Sequence, residues 1–259
     1  MAIQPEFRSY TGATRAAESA AFLDAGLRAY MLRVYNWMAS GLVLTGLVAY
    51  AIAHTPALLN MFYPLVQTAR GAVHQPGALA YIAMFAPLAF ILVLNFGVNK
   101  LSTTAVQGIF WAFCATMGAS MTSIFLVYVP GSIVQVFFIT AGTFAAMSLY
   151  GYTTQRDLTG MGSFLMMGLF GIMIAGVVNM FLGSGALQLA ISVLGVLIFT
   201  GLTAYDTQRI KGDFVQMAQA YGPDEAAKRS VFDSLSLYLN FLNLFMFLLQ
   251  IMGVRNNNN

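Results

Sequence analysis

Seven long apolar segments most constrain what this chain can fold into. They lie at about 30–54, 78–98, 105–129, 132–152, 163–182, 187–208 and 231–254. A helix that crosses a bilayer needs roughly 20 apolar residues, and each segment reaches that length. Only 8% of the 259 residues are charged, against about 25% in soluble domains, so the chain cannot cover a water-facing surface. The sequence therefore predicts an all-α integral membrane protein with a bundle of seven transmembrane helices.

Small residues favour close packing of these helices. Gly, Ala, Ser and Thr are frequent within the segments, as in MGASMTS at 117–123, and small residues let membrane helices approach one another. No segment alternates in hydropathy as the strands of a membrane barrel do. We predict three parts: a polar cytoplasmic tail at 1–28, a membrane domain at 29–254, and a short disordered tail at 255–259.

Lysine and arginine positions predict how the bundle is oriented. With seven spans, the side of the amino terminus holds ten cations and the other side holds two. Cytoplasmic loops of membrane proteins carry such an excess. The amino terminus is therefore expected in the cytoplasm and the carboxyl terminus outside. The ten are Arg8, Arg15, Arg28, Arg33, Lys100, Arg156, Arg209, Lys211, Lys228 and Arg229, and the two are Arg70 and Arg255.

Two of the segments end in nearly the same residues, GYTTQR at 151–156 and TAYDTQR at 203–209. Tyrosine, glutamine and arginine suit the membrane interface, which explains most of the repeat. It does not explain Asp206, whose place in the first copy is held by Thr153. An acid at the carboxyl end of a helix opposes the helix dipole, and Arg209, one turn on, is an i,i+3 partner that offsets it.

The last segment carries a stripe of polar residues on one face. At about 100° per residue, the stripe covers roughly 100° of arc on the helix. Such a stripe at membrane depth faces protein or water rather than lipid. Two interpretations stay open: the polar groups hydrogen-bond neighbouring helices, or they line a polar path. The stripe consists of Asp233, Ser236, Asn240, Asn243 and Gln250.

Enzymatic and cofactor chemistry have little support in the sequence. There is no Walker loop, GxSxG or HExxH motif, and no nucleophile and base stand together. A single cysteine, Cys114, rules out an intramolecular disulfide framework and a cysteine-based metal site. His54 and His74 are far apart with no acid beside either, so no firm metal site is expected. No basic run interleaves with aromatic residues, so nucleic acid is not an expected partner.

Five stretches, in this order and spacing, resemble the Bax inhibitor / YccA family, also called the transmembrane Bax inhibitor motif family. They are LRAYMLRVYNWMASGLVLTGLVAY, PLAFILVLNFGVNKLS, GYTTQRDLT, TGLTAYDTQRIK and LSLYLNFLNLF. The resemblance runs from about residue 27 to residue 254. It implies a seven-helix fold whose last helix is central, in the inner membrane of a bacterium.

For function, the resemblance implies a pH-modulated leak channel for calcium or other cations. Some bacterial members have this activity, gated by two aspartates that share a proton near the cytoplasmic ends of the last two helices. Calcium would then be the transported ion, and no cofactor is expected. The alternative that the family offers is a non-conducting modulator or substrate of the membrane protease FtsH, acting through the cytoplasmic amino-terminal tail.

The resemblance assigns the gate to named residues. Asp206 matches the sixth-helix aspartate, but the family pattern LYLDF reads LYLNF here, so Asn240 holds the place of the second carboxylate. One carboxylate is a weaker calcium ligand than two. A hydrogen bond donated by Asn240 would favour the charged form of Asp206, whereas desolvation would favour the neutral form. Which of the two forms prevails stays open at this point. Asp233 is a substitute on the same face, about 10.5 Å nearer the cytoplasm. The second helix also departs from the family, with Pro87 inside it and Lys100 as its nearest cation.

Overall fold

The computed structural model describes residues 7–68, 71–97, 100–217 and 223–256. In these residues the elements are α1 (Phe7–His54), α2 (Pro56–Phe62), β1 (Leu65–Thr68), β2 (Gly71–His74), α3 (Ala78–Gly97), α4 (Thr103–Ser120), α5 (Ser123–Val127), α6 (Pro130–Thr153), α7 (Thr159–Leu182), α8 (Gly185–Met217) and α9 (Pro223–Met252).

The prediction of a membrane protein built from long apolar helices is confirmed. Six stretches are long and apolar enough to cross a membrane, namely Leu23–His54, Thr103–Val127, Pro130–Thr153, Thr159–Leu182, Gly185–Gln216 and Glu225–Met252. The second predicted span corresponds to a shorter apolar helix, Ala78–Leu94. Each of the seven predicted segments therefore overlaps one apolar helical stretch.

The connection between the first two apolar helices also contains two short strands, which the sequence did not predict. There β1 and β2 form an antiparallel hairpin, with Val66 opposite Val73 and Thr68 opposite Gly71. β-Branched residues suit strands, and Gly71 has a φ of 126°, a conformation that favours glycine. The pairing satisfies backbone groups that a bare loop would leave to solvent.

The last two long helices extend further than their apolar residues predict. α8 continues to Met217, although the apolar segment ends at about 208, and α9 begins at Pro223. The predicted long loop between them is therefore largely helical. Arg229 Nη2 lies 2.9 Å from Asp213 Oδ2 and links the two extensions. Asp206 consequently lies well inside α8, so the prediction that it stands at the end of the helix is wrong.

Both predicted tails have helical or paired residues. α1 begins at Phe7, so it includes most of the predicted tail 1–28, whereas residues 1–6 lie outside the described part of the chain. At the other end, Arg255 forms a β-bridge with Tyr128, and the backbone N–H of Asn256 donates to the Val127 carbonyl at 2.9 Å. Residues 257–259 of the predicted tail 255–259 also lie outside the description.

The main core forms around α9, which packs against α1, α4, α6 and α8. Tyr238 is fully buried, and its ring lies edge-on to Phe110 and Phe113 of α4. Its hydroxyl lies 2.7 Å from Thr45 Oγ1 on α1. A buried phenol needs such a partner. α9 is thus fixed by contacts on several sides, which sets the orientation of its polar stripe.

Gly151 permits the close approach of α6 to α8, and this gives a stability prediction. A Cβ built on Gly151 would lie 2.2 Å from the carbonyl oxygen of Ala204, a backbone atom that cannot move without shifting α8. We expect Gly151→Ala to destabilise the protein by about 1–3 kcal/mol, the usual cost of overpacking. Gly142→Ala on the same helix is the control, since nothing lies within 4 Å of its Cβ position. Thermal unfolding in detergent measures both, and equal midpoints would contradict the packing argument.

Candidate functional site

The residues around Asp206 fix the rotation of α8 in the bundle. The Thr207 hydroxyl lies 3.0 Å from the Ser148 hydroxyl on α6. Gln208 donates from Nε2 to the Arg156 carbonyl at 2.7 Å and accepts at Oε1 from the Leu158 N–H at 2.8 Å. These bonds hold α8 against α6 and against the connection that follows α6. With those sides occupied, the Asp206 side chain faces α9.

Asp206 and Asn240 form a buried pair between α8 and α9. Asn240 Nδ2 donates to Asp206 Oδ2 at 2.7 Å, and the two residues are 8% and 5% exposed. Arg209 Nη2 lies 3.0 Å from Asp206 Oδ1 and 3.4 Å from Ser236 Oγ. The structure therefore brings together four of the six predicted site residues, and leaves Asp233 and Asn243 apart from them. Both carboxylate oxygens of Asp206 are bonded to protein groups.

The matching position in the first copy of the repeat has a different environment. α6 ends at Thr153, which is exposed and donates its hydroxyl to the Leu149 carbonyl at 2.8 Å. Asp206 is buried instead, because α8 continues past it and α9 packs on it. The acidic residue Asp206, which only the second copy has, therefore faces the interior of the bundle.

Asp233 belongs to a second, separate cluster. Its Oδ2 accepts from the Tyr30 hydroxyl at 2.6 Å, and its Oδ1 lies 3.4 Å from Arg229 Nε. Asp233 is 3% exposed and bonds to neither Asp206 nor Asn240 in the part of the chain that the structure describes. The sequence gives no signal for Tyr30, which lies 203 residues away from Asp233. Asp233 therefore joins α1 to α9.

The Tyr30 bond gives a second stability prediction. Tyr30→Phe removes the hydroxyl and leaves Asp233 Oδ2 buried without that donor, which costs about 1–3 kcal/mol. Tyr50→Phe on the same helix is the control, because Tyr50 is exposed and should lose almost nothing. We expect thermal unfolding in detergent to show a lower midpoint for Tyr30→Phe alone. A midpoint equal to that of the wild type would show that the bond contributes no stability.

The rest of the polar stripe is hydrogen-bonded within the protein. Asn243 donates from Nδ2 to the Leu239 carbonyl of its own helix at 2.8 Å. Near the opposite end of α9, Gln250 Oε1 accepts from Gln188 Nε2 and from Ser192 Oγ, each at 2.8 Å. The Gln250 contacts match polar bonding between helices, whereas the Asn243 bond stays within α9. The alternative, a polar path past Ser236 and Asn243, stays a prediction.

The oxygen donors described around Asp206 are too few for a tight calcium site. No group of three or more His, Cys, Asp or Glu side chains comes together within the described residues. Around Asp206 the oxygen donors are one carboxylate, the Asn240 amide oxygen and the Ser236 hydroxyl. Tight calcium sites use six to eight oxygen ligands with several carboxylates.

Comparisons with known proteins cover nearly the whole chain. The family model described as "Inhibitor of apoptosis-promoting Bax1" matches residues 27–257. The inner membrane protein YbhL of Escherichia coli (strain K12) is 41% identical over 231 residues, 89% of this chain and 94% of YbhL. An uncharacterized protein of Caulobacter vibrioides is 44% identical over 248 residues, 95% of this chain and 96% of its own.

Proposed function

The chain belongs to the Bax inhibitor family, and from this premise we propose that it is a calcium or cation leak channel of a bacterial inner membrane. The location follows that of the relative YbhL, which is named an inner membrane protein. Family membership and the cation distribution together support an amino terminus in the cytoplasm and a carboxyl terminus outside. We propose no enzymatic activity.

The observation that carries the proposal is a buried carboxylate between two helices of the bundle. A charge at membrane depth is costly unless it is paired or lines a path, and it marks functional sites for that reason. Asp206 is such a charge, and it meets α9 at Asn240, where the family pattern has its second aspartate.

Arg209 closes the site in this arrangement. Its guanidinium occupies Asp206 Oδ1, so a cation reaches the carboxylate only when the arginine leaves. The guanidinium also makes a longer contact, 3.4 Å to Ser236 Oγ, and its buried Nε has no hydrogen-bond partner among the described residues. Release of Arg209 would expose oxygen atoms of Asp206, Asn240 and Ser236 to the cation.

This closing role gives a prediction for flux. Arg209→Gln removes the competing cation, so we expect calcium flux into proteoliposomes to rise about threefold to tenfold, which corresponds to losing an ion pair of about 1 kcal/mol. Arg229→Gln is the control, because Arg229 pairs with Asp213 and Asp233 and not with Asp206. An equal rise in calcium flux in both variants would show that the ion path does not depend on the pairing of Arg209 with Asp206.

The second function, modulation of an FtsH-type membrane protease, stays a prediction from the family. It places the activity in the amino-terminal residues rather than at Asp206. Deletion of residues 1–26 separates the two functions: it should leave calcium flux nearly unchanged if the chain conducts, and abolish any effect on the protease if the tail is the regulator.

A further inference from the structure

A groove of about 610 Å³ runs between α1 and α6. Met31 and Met38 form the α1 side, Phe144 and Leu149 form the α6 side, and Phe241 of α9 also lines it. The volume falls within the roughly 300–1,000 Å³ of small-molecule sites. The lining is almost wholly apolar, so the groove suits a hydrocarbon occupant.

The hydroxyl groups in the middle of the groove wall already have hydrogen-bond partners within the protein. The Tyr35 hydroxyl on α1 and the Ser148 hydroxyl on α6 hydrogen-bond each other, and Ser148 also bonds to Thr207. These groups satisfy one another, which leaves the middle of the groove effectively apolar. The Tyr35–Ser148 bond also fixes α1 and α6 side by side, so Arg28 lies toward the end of the groove that holds Tyr152.

That end of the groove is positively charged. Arg28 lines it and is exposed, and it forms no ion pair with any described carboxylate, including the exposed Asp24 one turn earlier. Lys211 adds a second cation, because its Nζ donates to the Tyr152 carbonyl at 2.9 Å and lies 5.2 Å from the Tyr152 ring centroid. A single apolar groove with cations at one end has the polarity of one lipid molecule.

The length of the groove also fits one leaflet of a bilayer. From Arg28 to Met38 the helix rises about 15 Å, half of the roughly 30 Å hydrocarbon core. Basic pockets between membrane helices on the cytoplasmic side bind anionic headgroups. We propose that this groove binds one acyl chain of an anionic glycerophospholipid, with the phosphate held by Arg28 and Lys211.

The proposed binding of the phosphate by Arg28 is tested by removing the charge of that side chain. The full-length protein in detergent is equilibrated with equal amounts of phosphatidylglycerol and phosphatidylcholine, and retained lipid is counted by native mass spectrometry. Arg28→Gln should lower the retained ratio of phosphatidylglycerol to phosphatidylcholine about fivefold. Arg33→Gln, on the same helix and equally exposed but outside the groove, should leave the ratio unchanged. Equal effects of the two variants would overturn the assignment of the phosphate to Arg28.

The acyl-chain half is tested by filling the groove. Ala145 lines the groove and Ala146 does not, although both are exposed on α6. Ala145→Trp should reduce retained lipid at least fivefold for both headgroups, whereas Ala146→Trp should not. Retention unchanged by Ala145→Trp would overturn the proposal. In a second mixture of palmitate and phosphatidylglycerol, retention of palmitate alone would also overturn it, because a free fatty acid would then be the ligand. Since Arg28 is exposed, Arg28→Gln keeps the proposal testable even where a tryptophan disturbs folding.

Discussion

Replacing Asn240 with aspartate should give the protein a calcium leak that rises by about tenfold or more between pH 6 and pH 8. The donor atom of Asn240 lies 2.7 Å from Asp206 Oδ2, so an aspartate there would place two carboxylates at hydrogen-bond distance. Two such groups cannot both ionise easily, and they share one proton. As the pH rises the shared proton leaves, the two charges repel, and the site gains the second negative ligand that calcium favours.

The control for this variant is Asn243→Asp on the same helix. Asn243 bonds to the Leu239 carbonyl of its own helix, so a carboxylate there adds the same charge without meeting Asp206. We expect the wild type and Asn243→Asp to have nearly flat flux over pH 6 to 8. A pH response of equal size in Asn243→Asp would show that added charge alone, and not the pair with Asp206, produces the response.

Replacing Asp206 with asparagine should reduce calcium flux at least about tenfold at every pH from 6 to 8. Asp206 is the carboxylate at the contact of α8 with α9, and its loss leaves Arg209 as an unbalanced positive charge in the path. An unpaired cation in the path repels calcium, and the site has then lost its negatively charged ligand. The expected flux is close to that of protein-free liposomes.

Asp213→Asn is the matched control for that loss. Asp213 also lies on α8 and pairs with an arginine. It is near the end of α8, however, and its partner is Arg229 of α9. We expect this variant to conduct as the wild type does. Thermal unfolding of both variants separates a closed path from a misfolded protein. Flux that survives in folded Asp206→Asn would show that the carboxylate does not serve the path.

The apolar segments made the fold largely predictable, because burial in lipid demands long apolar helices. The helix extensions were not predictable in the same way. Residues 209–217 of α8 include Arg209, Lys211 and Asp213 among apolar residues, so their hydropathy is low, and hydropathy reports lipid contact rather than helix length. The hairpin at β1 and β2 was also missed, since its strands are only 4 residues each and lie in a connection treated as a loop.

The candidate site was predictable only where sequence neighbours determine it. Arg209 stands one turn after Asp206, so their ion pair follows from helix geometry. The contact of Asp206 with Asn240 came from the family resemblance, since nothing local joins residues on two helices. The Tyr30–Asp233 bond and the groove beside Arg28 depend on how α1 packs against α9 and α6. Packing of distant helices leaves no periodic signal in a single sequence.

The most direct test of the account is calcium flux into liposomes that contain the purified wild-type protein, measured against protein-free liposomes between pH 6 and 8. We expect flux clearly above the protein-free background, with little change across this range because no described carboxylate pairs with Asp206. Flux equal to the background at every pH, from protein that unfolds cooperatively, would contradict the leak channel. The protease-modulator function would then be the one to pursue.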